Sequence, residues 1–110
     1  MNYQTGLANE IAIDPQEWRE RLTSYYRETG TRSSAKQISV AMALGEQMAY
    51  TNADTLWLFM RRQKIQISRA TVYKTLTWLV GAGFVHKKGN GHRTALYLVN
   101  QIQARFLATE

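Results

Sequence analysis

Basic side chains are the residues of this sequence whose number and placement best suit a chemical role. No aspartate or glutamate occurs between Thr55 and Thr109, whereas nine cations do: Arg61, Arg62, Lys64, Arg69, Lys74, Lys87, Lys88, Arg93 and Arg105. Such a segment forms a positively charged surface, and a phosphate backbone is its natural partner. The alternative is a solvated basic face that has no ligand.

Groups suited to catalysis or metal binding are few. The sequence has no cysteine, which excludes thiolate zinc sites and cysteine nucleophiles, and its only imidazoles are His86 and His92. Two imidazoles alone form a weak metal site, and such histidines are more often surface or phosphate-contacting residues. After Asp54 the only acidic side chain is Glu110, which leaves no acid–base pair. We expect no enzyme, cofactor, metal or small-molecule substrate.

Length and composition indicate one soluble domain. The 110 residues have room for a single core, and a hydrophobic content of 45% is enough to build it. No apolar run approaches the roughly twenty residues of a membrane span, and the N-terminal region lacks a signal peptide. Together with the missing cysteines this predicts a cytoplasmic protein, and the net charge of +6 favours association with the nucleoid.

The elements that would position the basic residues begin with an N-terminal helix. Residues 1–13 show no period and are interpreted as a flexible lead-in. Asp14-Pro15-Gln16-Glu17 combines a capping residue, a proline suited to the first helical position and an acid at the capping-box spacing. The predicted helix covers 15–28 and ends before Gly30, with an apolar stripe formed by Trp18, Leu22 and Tyr25.

Two more helices are predicted before the basic segment. Ser33 or Ser34 caps the first, which ends at Gly45 and has these apolar residues: Ile38, Ala41 and Met42 on one face, with Val40 and Leu44 beside them. Asn52 caps the second, over 53–62. That helix is so apolar that more than one of its faces must be covered, because it contains Leu56, Trp57, Phe59 and Met60.

A fourth helix lies within the basic segment. Lys64-Ile65-Gln66-Ile67 alternates polar and β-branched residues, which predicts a short strand. Ser68 then caps a helix over 69–81, whose inner face is formed by Val72, Leu76 and Leu79.

The C-terminal part of the chain predicts a hairpin and one more helix. Two strands within 84–99 flank the turn Gly89-Asn90-Gly91, and residues 101–110 form a short amphipathic helix with Ile102, Phe106 and Leu107. The domain therefore covers 14–100. Its order of elements is typical of a winged helix-turn-helix, a mainly α fold with a small β-hairpin wing.

A helix-turn-helix places its second helix in the major groove of DNA, where the N-terminal half of that helix meets base edges. The residues at this place are Ser68, Arg69, Ala70, Thr71, Tyr73 and Lys74. Arg69 can donate to guanine or to phosphate, Ala70 permits close approach, and Tyr73 can contact a thymine methyl group. The alternative for Tyr73 is an aromatic ring packed under the hairpin.

Basic residues elsewhere extend this candidate surface. Lys87, Lys88, His92 and Arg93 flank the hairpin turn, where a wing would contact backbone phosphates or the minor groove. Arg32 and Lys36, near the start of the second helix, are further candidates for DNA contact. The alternative for the turn is an exposed loop that its charge keeps soluble.

A family resemblance supports this interpretation. Residues 69–76, Arg69-Ala70-Thr71-Val72-Tyr73-Lys74-Thr75-Leu76, then Leu79 and Ala82-Gly83-Phe84-Val85, resemble the "ATVYRTL…L..AGLV" signature of the ferric uptake regulator family. Upstream, Gly30, Ser34 and 37–44 resemble the family's first conserved helix, and 52–57 resembles its "SAEDLY" segment. The resemblance covers 22–99. It implies a DNA-binding domain in which Tyr73 and Lys74 hold base- and phosphate-contacting positions.

The sequence also departs from the family. Its regulators continue into a second domain that dimerises and binds metal, which we expect this chain to lack. A wing glutamate that serves as metal ligand would fall near Tyr97, and the histidines before "SAEDLY" correspond to Ala49 and Tyr50. The expected function is therefore a metal-independent, sequence-specific regulator of transcription that binds double-stranded DNA.

Trp78 lies opposite the inner stripe of the fourth helix, where the family usually has a polar residue, and Val80 departs in the same way. Either the N-terminal helix, the C-terminal helix or a second subunit covers it. The candidate interface for a possible homodimer is Trp78, Val80, Ile102 and Phe106. The alternative function is a winged-helix protein-interaction module that uses exposed Trp57 and Trp78.

Overall fold

A computed structural model describes residues 13–89 and 94–100. Its elements are α1 (Pro15–Thr29), α2 (Ala35–Gly45), α3 (Ala53–Arg62), α4 (Arg69–Gly81), β1 (Val85–Lys88) and β2 (Leu96–Val99). The predicted winged helix-turn-helix is confirmed, with α3 and α4 as the helix pair and the hairpin as the wing. Residues 1–12 of the lead-in predicted over 1–13, the C-terminal helix predicted over 101–110, His92 and Arg93 lie outside the described residues, whereas Ile13 is buried in the core.

A polar side chain caps the N-terminus of each of these helices. Every cap accepts a hydrogen bond from the amide three residues later: Asp14 from Glu17 at 3.0 Å, Ser34 from Gln37 at 3.3 Å, Asn52 from Thr55 at 2.7 Å and Ser68 from Thr71 at 3.0 Å. Each bond satisfies an amide that has no partner within its helix. Gly30 ends α1 with a left-handed φ of 71°.

The core lies between α1, α2, α3, α4 and the wing. Its largest fully buried side chains come from all of them: Trp18, Tyr97, Leu22, Leu44, Leu56, Met60, Leu76, Leu79, Val40 and Val72. Burying each such side chain stabilises the fold by about 1.5–3 kcal/mol. α4 packs against α2, α3 and β1, so its inner face is buried in the core.

The buried faces of α1 and α2 differ from the predicted ones. α1 buries Tyr26 beside Trp18 and Leu22, whereas Tyr25 is half-buried. The indole Nε1 of Trp18 donates to the Ala41 carbonyl at 2.6 Å and so sets the rotation of α1 on α2. On α2 the buried residues are Val40, Ala41, Ala43 and Leu44, while Ile38 and Met42 are half-buried at the flank.

The strand predicted over 64–67 is wrong. Lys64 has a left-handed φ of 64°, and the Ile65 amide donates to the Met60 carbonyl at 3.0 Å, so the chain turns tightly after α3. The wing instead gains a bridge from Thr51. The Tyr97 amide donates to the Thr51 carbonyl at 2.8 Å, and the Thr51 amide returns a bond to the Tyr97 carbonyl at 3.1 Å. The segment before α3 therefore extends the sheet.

The wing is an antiparallel pair whose register runs from Val85 opposite Val99 to Lys88 opposite Leu96. Beyond the ladder, the Asn100 amide donates to the Phe84 carbonyl at 2.8 Å. Gly89, after β1, has a φ of 92° that an L-residue with a side chain rarely adopts. Val85, Tyr97 and Val99 are buried, which attaches the hairpin to the domain.

Trp78 is half-buried rather than exposed, because α1 covers it. Its ring stacks on Tyr26 at 5.6 Å between centroids and 16° between planes, and Tyr25 meets it edge-on at 5.8 Å. Of the three predicted covers, the N-terminal helix is therefore the observed one. Val80 is half-buried as well, and the interface partners Ile102 and Phe106 lie outside the described residues.

Trp57 is also half-buried rather than exposed. Its indole Nε1 donates to the Ile67 carbonyl at 2.9 Å, so the ring is tied to the turn before α4. Within the described ranges, no helix combines the length and hydropathy that crossing a bilayer requires.

Candidate nucleic-acid interface

The candidate site is built on α4, which has two unlike sides. Val72, Leu76 and Leu79 are fully buried, with Thr75 beside them at 3% exposure. The opposite side presents exposed residues: Arg69, Ala70, Lys74 and Thr77. Because one side of the helix is held by the core, the other is presented rigidly to whatever approaches it.

The start of α4 is organised by Ser68. Its hydroxyl caps the helix by accepting from the Thr71 amide, and it lies 2.9 Å from the Thr71 hydroxyl. Arg69 and Ala70 follow immediately and are exposed. The helix carries no acidic residue in its first turn, so its N-terminus and the Arg69 cation together favour an anion.

Tyr73 lies in the second turn of α4. It is half-buried, and the Thr77 hydroxyl donates to its carbonyl at 3.1 Å. Burial raises the pKa of the Tyr97 phenol, and the charge of the Tyr73 phenol raises it further. Part of the Tyr73 side chain remains accessible, and Lys74 is exposed.

The described part of the wing carries a run of exposed basic residues: His86, Lys87 and Lys88. The Lys88 ammonium lies 4.9 Å from the centre of the Tyr50 ring, which attaches the tip of β1 to the segment between α2 and α3. This contact restricts the Lys88 side chain without neutralising its charge. His92 and Arg93, predicted on the other side of the turn, lie outside the described residues.

Arg32 and Lys36 are exposed, the first between α1 and α2 and the second in the first turn of α2. The structure brings Arg69 to the Trp57 ring, but within the described part of the chain it records no comparable contact for Arg32 or Lys36. Their role in DNA contact stays a prediction.

One group of residues was not predicted from the sequence. The guanidinium carbons of Arg61 and Arg69 lie 5.0 Å and 4.4 Å from the centre of the Trp57 ring. The spacing of Trp57 and Arg61, four residues apart on one helix, is a signal that could have indicated the first contact. The second joins two different helices, and only the tertiary structure shows it.

The positions that resemble the family's metal ligands do not fit a metal. Ala49 has no donor atom, and Tyr97 is 1% exposed with a raised phenol pKa, which opposes the ionisation that a metal ligand needs. Tyr50 lies beneath the Lys88 cation. Among residues 13–89 and 94–100, no three His, Asp or Glu side chains form a group that could hold a metal ion.

Several solved structures share this architecture. PerR from Streptococcus pyogenes, described for peroxide sensing and gene regulation, is 22% identical, has a TM-score of 0.64 and matches over 74% of this chain and 56% of its own. The ferric uptake regulator from Pseudomonas aeruginosa, solved with manganese, is 19% identical with a TM-score of 0.61, over 70% of this chain and 58% of that one.

The Helicobacter pylori ferric uptake regulator Fur, described with three functional metal-binding sites, is 17% identical with a TM-score of 0.66, over 80% of this chain and 59% of its own. The chain thus spans just over half the length of these relatives, and at these identities the likeness shows the fold. No curated protein matches it. The model of the ferric uptake regulator family matches residues 28–106, most of the chain. This chain therefore belongs to the ferric uptake regulator family.

Proposed function

We propose that the chain is a regulator of transcription that binds double-stranded DNA sequence-specifically, without a metal. In this proposal α4 enters the major groove and the wing, 84–99, follows the backbone. The observation that carries it is the division of α4 into a fully buried seam and an exposed row that begins with Arg69 and Ala70. A helix supported in this way can enter a groove without losing its own packing.

Each side chain of the row has a chemical role. Arg69 can form paired hydrogen bonds with guanine, and Ala70 is small enough to let the backbone approach the bases. Lys74 is exposed one turn further and would contact a phosphate. Tyr73, half-buried on α4, can offer its ring to a thymine methyl group while its hydroxyl reaches a phosphate.

Charge supports DNA rather than protein as the partner. The exposed residues of α4 and β1 include four lysines and arginines, Arg69, Lys74, Lys87 and Lys88, and the sequence between Thr55 and Thr109 supplies no carboxylate to oppose them. A protein-interaction module built on exposed Trp57 and Trp78 loses its premise, since both rings already contact the chain itself.

Metal independence is proposed because, among the positions that resemble the family's metal ligands, Ala49 has no donor atom and the Tyr97 phenol is buried. A single winged helix contacts few base pairs, so we further propose that two copies bind paired half-sites. Regulation of transcription would place the protein in the cytoplasm, at the nucleoid.

The test is a selection of duplexes from a random pool, carried out at two salt concentrations. Tyr73→Ala and Arg69→Ala should each lose preference for the enriched sequence by about 1–3 kcal/mol, while Lys88→Ala weakens all duplexes alike. Arg27→Ala, which removes an exposed cation from α1, is the matched control and should bind as the wild type does. If no sequence is enriched, or if duplex affinity is the same at both salt concentrations, the proposal fails.

A further inference from the structure

A concave surface lies between α3 and the turn that leads into α4, at the start of the proposed reading helix. Its volume is about 370 Å³, and it is lined by Trp57, Arg61, Lys64, Ile65, Gln66 and Ile67. We refer to these six residues as the Trp57 notch. Two of the six are cations, and none is acidic.

Trp57 holds this surface together. Its Nε1 donates to the Ile67 carbonyl at 2.9 Å, which fixes the ring against the turn. On the fixed ring lie two guanidinium groups, Arg61 from α3 and Arg69 from the first position of α4. The distance between their carbon atoms cannot exceed the sum of 5.0 Å and 4.4 Å, so both cations are held at the same ring.

This concentration of exposed positive charge favours an anion at the same place. Like charges at such distances repel each other, and contact with an aromatic ring offsets only part of that repulsion. The nearest carboxylates in sequence are Asp54 at the far end of α3 and Glu110. Lys64 adds a third cation with a left-handed φ of 64°, a conformation that glycine or asparagine adopts more easily.

We propose that the Trp57 notch binds a backbone phosphate of duplex DNA, with Arg61 and Lys64 as its ligands and Trp57 as the positioning residue for Arg61 and Arg69. The inference rests on the proposed function and deepens it. A phosphate held here would set the depth and register of α4, because the same ring orients the arginine that would reach the bases. Guanidinium groups suit this role, since their planar donors match phosphate oxygens in pairs.

The first experiment measures affinity for the enriched duplex and for a mixed-sequence duplex as a function of salt. Arg61→Gln should weaken both about fivefold at moderate salt and reduce the slope of log K against log salt by about 0.9, the value for one phosphate contact. Arg19→Gln is the matched control, because it removes an exposed arginine from α1. It should leave the slope unchanged.

Lys64→Gly separates stability from binding. Glycine accepts the left-handed backbone, so the variant should keep the melting temperature of the wild type, while loss of the cation weakens both duplexes to a similar extent as Arg61→Gln. If Lys64→Gly and Arg61→Gln both bind with the affinity and salt slope of the wild type, the notch is not a phosphate site, and the proposed function is unaffected. If the wild type itself binds no duplex, the proposed function fails with it.

Two substitutions at Trp57 test its positioning role. Trp57→Phe keeps an aromatic ring under the guanidinium groups and should retain most of the salt slope, whereas Trp57→Leu removes the ring and should lower affinity about two- to fivefold together with the slope. When Arg61→Gln is already present, Trp57→Leu should lower duplex affinity by a smaller factor than it does alone, because part of its effect comes from the lost positioning of Arg61. If the losses of affinity from Trp57→Leu and Arg61→Gln are additive, or if Trp57→Phe and Trp57→Leu have equal salt slopes, Trp57 only stabilises the fold.

Discussion

The Tyr26 ring stacks on the Trp78 ring across the boundary between α1 and α4, with 5.6 Å between centroids and 16° between planes. Tyr26 is 5% exposed, and its hydroxyl donates to the Gln37 side chain on α2 at 2.7 Å. One residue of α1 therefore contacts both the helix that would read DNA and the helix beneath it. The N-terminal helix α1 therefore packs on α4 and stabilises its position.

Replacing Tyr26 should separate its two contacts. Tyr26→Ala removes the stacked ring and should lower the free energy of unfolding by about 3–5 kcal/mol, the usual cost of deleting a buried aromatic side chain. Tyr26→Phe keeps the ring and loses only the bond to Gln37, at about 1 kcal/mol. Urea unfolding followed by tryptophan fluorescence measures both. An unchanged stability of Tyr26→Ala would mean that α1 does not brace α4.

The Tyr97 hydroxyl predicts a dependence of stability on alkaline pH. It is buried and has no hydrogen-bond partner among the described residues, and burial raises its pKa above 10.0 in the folded protein. The unfolded chain releases this proton at lower pH than the folded chain does, so stability is fully present below about pH 10 and falls as pH rises above it.

Tyr97→Phe checks this dependence directly. The variant should be as stable as the wild type at neutral pH, or more stable, because it removes an unsatisfied buried group and little else. Its melting temperature should fall less steeply than that of the wild type above pH 10. Burial also raises the pKa of Tyr26, so some alkaline loss remains in the variant. A steeper fall for the variant would contradict the assignment.

Two glycines at helix ends should respond oppositely to alanine. A Cβ on Gly45 would lie 2.7 Å from Cδ1 of Trp18, and Trp18 is fully buried and cannot move aside. Gly45→Ala should therefore lower the free energy of unfolding by about 1–3 kcal/mol. Gly81 has nothing within 4 Å of such an atom, so Gly81→Ala should be neutral or stabilising by up to about 1 kcal/mol. Thermal unfolding of the two variants gives the comparison.

Ser68 should link the stability of α4 to DNA binding. Ser68→Ala removes the cap on the Thr71 amide and should cost about 1 kcal/mol of stability. Ser68→Asp keeps a capping oxygen and places a negative charge at the helix N-terminus, so the fold should be as stable as the wild type. The same charge would repel DNA phosphates, and duplex affinity should fall. If Ser68→Asp binds as tightly as the wild type, the start of α4 does not approach DNA.

The sequence by itself determined the helices, the hairpin and the inner seam of α4, because these depend on neighbours in the chain. Caps such as Asn52 and Ser68 act on amides three residues away, and the spacing of Val72, Leu76 and Leu79 defines one side of a helix. The same local pattern indicated which side of α4 remains exposed, and with it Arg69 and Lys74 as candidate contacts.

Only the tertiary structure decided how the helices are rotated against one another. That rotation selected Tyr26 rather than Tyr25 for the core, laid α1 over Trp78, paired Thr51 with Tyr97 and brought Arg69 onto the Trp57 ring. Each of these contacts joins residues that lie on different elements, and periodicity within one element carries no information about the angle at which another packs against it. The second cation on the Trp57 ring, Arg69, is there for this reason.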